Sequence, residues 1–369
     1  MCTVDFLPVR YLLLVAVFAG CGSTAQTRPD TITTEGKAAA SPEASTITCN
    51  ADDPDDCDRK GLGAAARDAF DSNSKDCKAG DQSACARLAA LYMFGAGTAV
   101  DRERARTLAT TACDRKIGLA CTIMGLLELD NPERAIGFYT RACDLGNGSG
   151  CTNLGIMYQV GQGVVADEAK GLALLGKACE LDDALGCTNL GNYHASHEPP
   201  DDGKAFAAFT RACKLDSAQG CANLADFTAN GRAIPADRGK AMKLYKKGCD
   251  LGAGTACVVL GVSVYSGTDG FTADTTKAVA LFTRACDLKE GSGCVNLGQM
   301  YLHGEGVAGD SARAIELFEK ACDIDYGHGC FFVAAIHASG RGVPVDEAKA
   351  RVYLEKSCRL GITEACDAL

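Results

Sequence analysis

The sequence has no tryptophan, and aromatic residues make up only 6% of its 369 positions. It also lacks a surplus of positive charge: 37 Lys and Arg face 47 Asp and Glu, a net charge of -10 at pH 7. Phosphate backbones demand a basic surface, so nucleic acid is excluded as a partner. No C-x-x-C occurs, which removes the spacing of thioredoxin-like redox sites and of most structural zinc sites. The apolar stretch YLLLVAVFAG at 11–20 falls short of the roughly 18 residues that a membrane-spanning helix needs.

What is abundant is cysteine and glycine, at 22 and 42 residues. With Ala and Leu supplying most of the apolar content, close-packed helices fit this composition better than a β-sandwich. A reducing cytosol would keep so many thiols free, so the count implies an oxidising compartment or many metals. The spacing chooses between them. Twenty cysteines fall into pairs eight residues apart, leaving Cys2 and Cys21 over. The expected bridges are Cys49–Cys57, Cys77–Cys85, Cys113–Cys121, Cys143–Cys151, Cys179–Cys187, Cys213–Cys221, Cys249–Cys257, Cys286–Cys294, Cys322–Cys330 and Cys358–Cys366. Pairing Cys151 with Cys179 instead would make the separations irregular and strand Cys77 and Cys366. Each short loop is worth about 2–3 kcal/mol in the chain-entropy account.

The N-terminus reads as an export signal at 1–20, with Arg10 ahead of a short apolar core. It ends in Phe18-Ala19-Gly20-Cys21, which resembles the bacterial lipobox and makes Cys21 the expected lipidation site. More than one acyl chain there would anchor the protein stably to a membrane. Residues 21–48 carry that cysteine and a Ser/Thr/Ala/Pro-rich stretch too polar to offset its ordering entropy, hence a tether. Gly22 follows the cysteine, and by resemblance to Gram-negative lipoprotein sorting that favours the outer membrane, facing the periplasm or the cell surface.

Internal periodicity dominates the remainder. From Cys77 onward the first cysteines of the pairs advance by 36, 30, 36, 34, 36, 37, 36 and 36 residues. In one unit Cys151, Leu154, Gly155 and Tyr158 follow i, i+3, i+4, i+7 and mark a first helix. Gly161 and Gly163 turn the chain, and a second helix opens near Asp167 and ends at Cys179. The predicted fold is therefore all-α, a solenoid of helix-turn-helix repeats.

The N-L-G-x-x-Y, G-x-G-V and K-A-C elements resemble Sel1-like repeats, relatives of tetratricopeptide repeats, and the paired cysteines narrow the likeness to cysteine-rich Sel1-repeat proteins known from Helicobacter. The resemblance implies a right-handed α/α superhelix with a concave surface, a capping segment at 49–84, eight repeats at 85–358 and a C-terminal cap at 359–369. The unit 121–143 lacks G-x-G, and 187–213 replaces it with HASHEPPDDG.

Candidate binding residues are Asn153, Asn189, Asn223 and Asn296, two positions after a leading cysteine, each followed four residues later by Met157, Tyr193, Phe227 or Met300. Residues at i and i+4 share a helix face, and paired amides beside apolar side chains suit the backbone of an extended peptide. The competing reading is that each Asn bonds a neighbouring helix and serves packing. The expected partner is an unidentified protein or peptide, with cell-wall components or β-lactams as alternatives. The latter follow from the resemblance, since some cysteine-rich Sel1 proteins are described as penicillin-binding or as weak β-lactamases. Only Ser72-Asn73-Ser74-Lys75 fits S-x-x-K, without its S-D-N or K-T-G companions, and no catalytic residue is assigned. No cofactor or metal is implied: His194 and His337 occupy the slot of Tyr158 and Tyr301 and are expected to pack there.

Overall fold

The computed structural model describes residues 62–369. The export signal, Cys21, the tether and the Cys49–Cys57 bridge lie outside the described residues. Every regular element among those described is helical, and they fall into two compact units divided between Ser217 and Ala218.

The first unit holds α1 Leu62–Lys78, α2 Gln82–Phe94, α3 Arg102–Asp114, α4 Gly118–Leu127, α5 Pro132–Asp144, α6 Gly148–Val160, α7 Glu168–Glu180, α8 Ala184–Ser196 and α9 Asp202–Lys214. The second holds α10 Ala218–Asn230, α11 Arg238–Leu251, α12 Gly254–Ser266, α13 Thr275–Asp287, α14 Gly291–His303, α15 Ser311–Asp323, α16 Gly327–Ser339, α17 Glu347–Arg359 and the short α18 Thr363–Asp367. Within each unit consecutive helices pack as hairpins, and the first helices of neighbouring hairpins also touch.

The second helix of every hairpin starts on a side-chain cap. Asp101, Asn131, Asp167, Asp201, Asp237, Asp274, Asp310 and Asp346 each accept from the N–H three residues on, at 2.8–3.2 Å. Such a cap is worth about 1 kcal/mol. The turn before it carries the G-x-G signature for a steric reason. A Cβ on Gly163 would sit 2.6 Å from the Pro132 Cβ and 3.0 Å from the Glu133 nitrogen, so this loop lies directly on the preceding hairpin. Where 121–143 lacks that turn, α4 stops early and the buried Glu128 closes the corner, paired with Arg106 and, at 3.2 Å, with Arg134.

The eight-residue spacing follows from the other turn. The third residue after the leading cysteine adopts a left-handed conformation, with φ of 65° at Lys116 and 77° at Gly146. The Lys116 N–H then bonds the Cys113 carbonyl at 2.9 Å, the next helix begins two residues later, and Cys121 arrives in its first turn. Bridges close at Cys77–Cys85, Cys113–Cys121, Cys143–Cys151, Cys179–Cys187, Cys249–Cys257, Cys286–Cys294, Cys322–Cys330 and Cys358–Cys366, with Cα atoms 4.4–4.8 Å apart. Cys213 and Cys221 are disulfide-bonded as well. A chain so extensively bridged belongs to an oxidising, extracytoplasmic space.

Four hairpin cores are each a ring pressed on a glycine. Gly125 faces Tyr139, Gly191 faces Phe209, Gly261 faces Phe282 and Gly298 faces Phe318, and a Cβ on any of these glycines would meet the ring at 2.4–2.6 Å. These four rings are fully buried.

Hairpin-to-hairpin contacts differ between the units. In the first, from Cys121 onward, a threonine directly after the bridging cysteine bonds the residue that precedes the next first helix. Thr122 donates to Asn147 at 2.8 Å, Thr152 to Asp183 at 2.7 Å, and Thr188 and Ser217 lie 2.9 Å apart. In the second, Val258 and Val295 take the threonine slot, and Ala253, Glu290, Tyr326 and Ile362 supply no side-chain cap. At this position the first unit makes polar contacts and the second apolar ones, although Tyr265 still bonds Glu305 across hairpins of the second unit.

Candidate functional site

The four asparagines occupy one register on the first helices, but their surroundings separate them. Asn153 on α6 and Asn189 on α8 are half-buried, and neither side chain has a hydrogen-bond partner among the described residues. Their helices are neighbours in the first unit. The packing reading, in which each amide bonds an adjacent helix or loop, does not describe these two. Asn223 on α10 accepts from Gln219 Nε2 at 2.7 Å. Asn296 on α14 is fully buried with both amide atoms unpaired, and the neighbouring repeats place Val259 and Phe332 in its slot.

The apolar residues are positioned differently from the sequence expectation. Met157, Phe227 and Met300 are buried, and Met157 packs with Ala135, Tyr139 and Leu154. A first helix is covered on two adjacent faces, by its own second helix and by the preceding hairpin. The residue six after the cysteine therefore belongs to the core and is not open to a partner. Tyr193 differs: it is half-exposed, its ring stacks on His197 at 4.7 Å and meets His194 edge-on at 5.6 Å. His197 Nδ1 lies 3.4 Å from Glu168 Oε1. Partial desolvation, with the nearby Glu168 carboxylate, raises the Tyr193 hydroxyl above its ordinary pKa. Partial burial lowers His194, assisted by the Lys204 charge.

Two further polar groups lie near this register, exposed Asn192 in the first unit and half-buried Asp226 in the second. Asn192 lies one turn after Asn189, and the equivalent positions elsewhere are Ile156, Asp226, Val262 and Gln299, so no repeated pattern pointed to it. Asp226 on α10 receives the Tyr245 hydroxyl, and burial pushes its carboxyl above the ordinary range against that hydrogen bond. His337 packs as expected and is buried, though neither ring nitrogen has a partner. Ser72 and Lys75 are both exposed on α1 with no hydrogen bond joining them. Among the described residues no group of three or more His, Cys, Asp or Glu could hold a metal ion, and no helix is long and apolar enough to cross a membrane.

The sequence profile of the Sel1 repeat matches at 82–116, 121–147, 148–183, 184–217, 218–252, 255–290, 291–326 and 327–362, most of the chain. The chain belongs to the Sel1 repeat family. No curated protein matches it in sequence. Among solved structures, the protective antigen c5321 of uropathogenic Escherichia coli, which displays an SLR fold, is 21% identical with a TM-score of 0.57, covering 80% of this chain. This chain spans 65% of that antigen's length. A Sel1 repeat protein from Oxalobacter formigenes is 18% identical with a TM-score of 0.57, covering 64% of this chain and 96% of its own. Both show the all-α repeat solenoid alone. Helicobacter pylori cysteine rich protein B is 32% identical over 36% of this chain and 95% of its own, with a TM-score of 0.31. With helix pairs stapled by disulfides, the molecule is a Sel1-repeat scaffold.

Proposed function

We propose that this Sel1 scaffold is exported, tethered to the outer membrane through a lipid on Cys21, and binds an extended segment of a partner protein across α6 and α8. One observation carries the reading: Asn153 and Asn189 keep their amides half-exposed and unpaired on adjacent helices. Each amide offers a donor and an acceptor, which is what a peptide backbone requires and what packing has left unused. Tyr193 and the exposed Asn192 would flank that backbone, with Tyr193 offering a flat ring to a side chain. Asn223 and Asn296 fall outside the contact surface, the first because Gln219 already occupies its oxygen, the second because it is sealed.

The test is photo-crosslinking in the native envelope with the wild-type chain and with an Asn153→Ala/Asn189→Ala variant. Two lost hydrogen bonds of about 1–1.5 kcal/mol each should weaken the partner roughly 30- to 150-fold while the melting temperature stays nearly unchanged. A variant that keeps its crosslinked partner, or that loses stability with binding intact, would reject this reading. Intact mass of a Cys21→Ala variant, lacking the acyl chains of the parent, checks the tether separately.

A further inference from the structure

The second unit carries a cleft that the asparagine face does not use. It opens between the second helices α11 and α13, with a volume of about 490 Å³, within the range of roughly 300–1,000 Å³ typical of ligand pockets. Leu260 and Val264 of α12 form its floor, Met242 and Leu281 its walls, and Phe271 its mouth.

Phe271 is there because of a chain insertion. The step from Cys249 to Cys286 is 37 residues, and the loop between α12 and α13 carries the Asp269-Gly270-Phe271 turn. Arg238 bonds Asp269 at 2.7 Å, and Ser263 bonds the same carboxylate at 3.0 Å. The loop is therefore pinned to both α11 and α12, with the Phe271 ring 36% exposed above an apolar floor.

The rim is cationic, because Lys243, Lys246 and Arg284 line the cleft against the single carboxylate of Asp250. In a chain of net charge -10, helix α11 carries Arg238, Lys240, Lys243, Lys246 and Lys247 against the single Asp250. Asp250 is shared: Lys246 reaches it at 2.7 Å and Arg284 at 3.6 Å. The ammonium groups of Lys240 and Lys243 are exposed and have no partner among the described residues, and Lys243 lines the cleft itself. An apolar hollow under unpaired positive charge is complementary to a bulky apolar side chain flanked by carboxylates.

We propose that this cleft is a second docking site, for an acidic peptide segment of a partner protein that seats one large apolar side chain between α11 and α13. It extends the scaffold reading to a surface independent of Asn153 and Asn189. The experiment is fluorescence anisotropy of the oxidised full chain with a labelled peptide of Asp, Glu and Ser around one central Phe. Its controls are the same peptide with Ser at the centre, and vesicles of anionic phosphatidylglycerol. The acidic Phe peptide should bind, lose affinity with added salt, and weaken at least tenfold for Lys243→Glu and for Phe271→Ser. Both substitutions are at exposed positions and should leave the fold intact. Asn153→Ala/Asn189→Ala should leave this affinity unchanged, so failure of the amide site and failure of the cleft are distinguishable. Absent binding, equal binding of the Ser-centred peptide, indifference to Lys243→Glu, or vesicle binding in place of peptide binding would each overturn the proposal.

Discussion

Asp183 bonds across two repeats of the first unit, and Asp183→Ala tests the reasoning about how those repeats are joined. Its carboxylate is 4% exposed and accepts three hydrogen bonds: from Thr152 Oγ1 at 2.7 Å, Ser149 Oγ at 2.8 Å and the Gly186 N–H at 2.7 Å. Two of these come from α6 and one from the start of α8, so one side chain is both helix cap and joint. Losing the cap costs about 1 kcal/mol. Thr152 is 1% exposed and would be left without an acceptor at a further cost of about 1–3 kcal/mol, whereas Ser149 is half-exposed and can turn to water. The total of about 2–4 kcal/mol corresponds to roughly 30- to 700-fold faster hydrogen exchange in α6 and α8. Exchange is the right assay because repeat arrays open locally and one melting temperature blurs them. Thr152→Val in the Asp183→Ala background should cost clearly less than Thr152→Val alone, a coupling of about 1 kcal/mol or more. Glu290→Ala at the equivalent position of the second unit, where no side-chain cap exists, should cost under about 1 kcal/mol. Equal effects of Asp183→Ala and Glu290→Ala, or strict additivity with Thr152→Val, would refute the argument.

Three other substitutions probe the core. Tyr139→Phe should stabilise by about 1 kcal/mol in chemical denaturation, because the hydroxyl is buried without a partner and Phe already serves at 209, 282 and 318. Gly298→Ala should destabilise by about 1–3 kcal/mol despite its better helix propensity, since the new Cβ would lie 2.6 Å from the fully buried Phe318 ring. Asp226→Asn should flatten a pH dependence: burial raises the folded carboxyl, so wild-type stability falls as pH climbs from the ordinary carboxylate value through the raised one. The variant should lack that fall and be more stable at neutral pH in denaturant titrations; an unchanged profile would clear Asp226.

Local chemistry made most of the fold legible in advance. The cysteine spacing announced the bridges because a single left-handed residue and two helix ends fill eight positions almost without freedom. Asp167 marked its helix start because capping is a matter of three consecutive residues. Contacts between hairpins were harder to read. Helical periodicity identifies one buried stripe, while Met157, Phe227 and Met300 are buried by a second neighbour that periodicity does not represent. Thr122, Thr152 and Thr188 repeat visibly in sequence, but their partners lie 25 to 31 residues away and vary among Asn, Asp and Ser. The fate of the asparagine register shows the same limit. Identical positions give a free amide at 153 and 189 and a sealed one at 296, depending on what the adjacent repeats carry. The loop that brings Phe271 to the cleft beside α11 carries one extra residue, evident only as a 37-residue step between Cys249 and Cys286.

The stapled, extracytoplasmic scaffold is tested most directly by non-reducing peptide mapping of the protein taken from the cell envelope with thiols blocked at lysis. The account predicts every repeat cysteine joined to its partner eight residues away, Cys213 to Cys221 among them, with no blocked thiol in 77–366. Free thiols in the repeats, or a link such as Cys151 to Cys179, would contradict it.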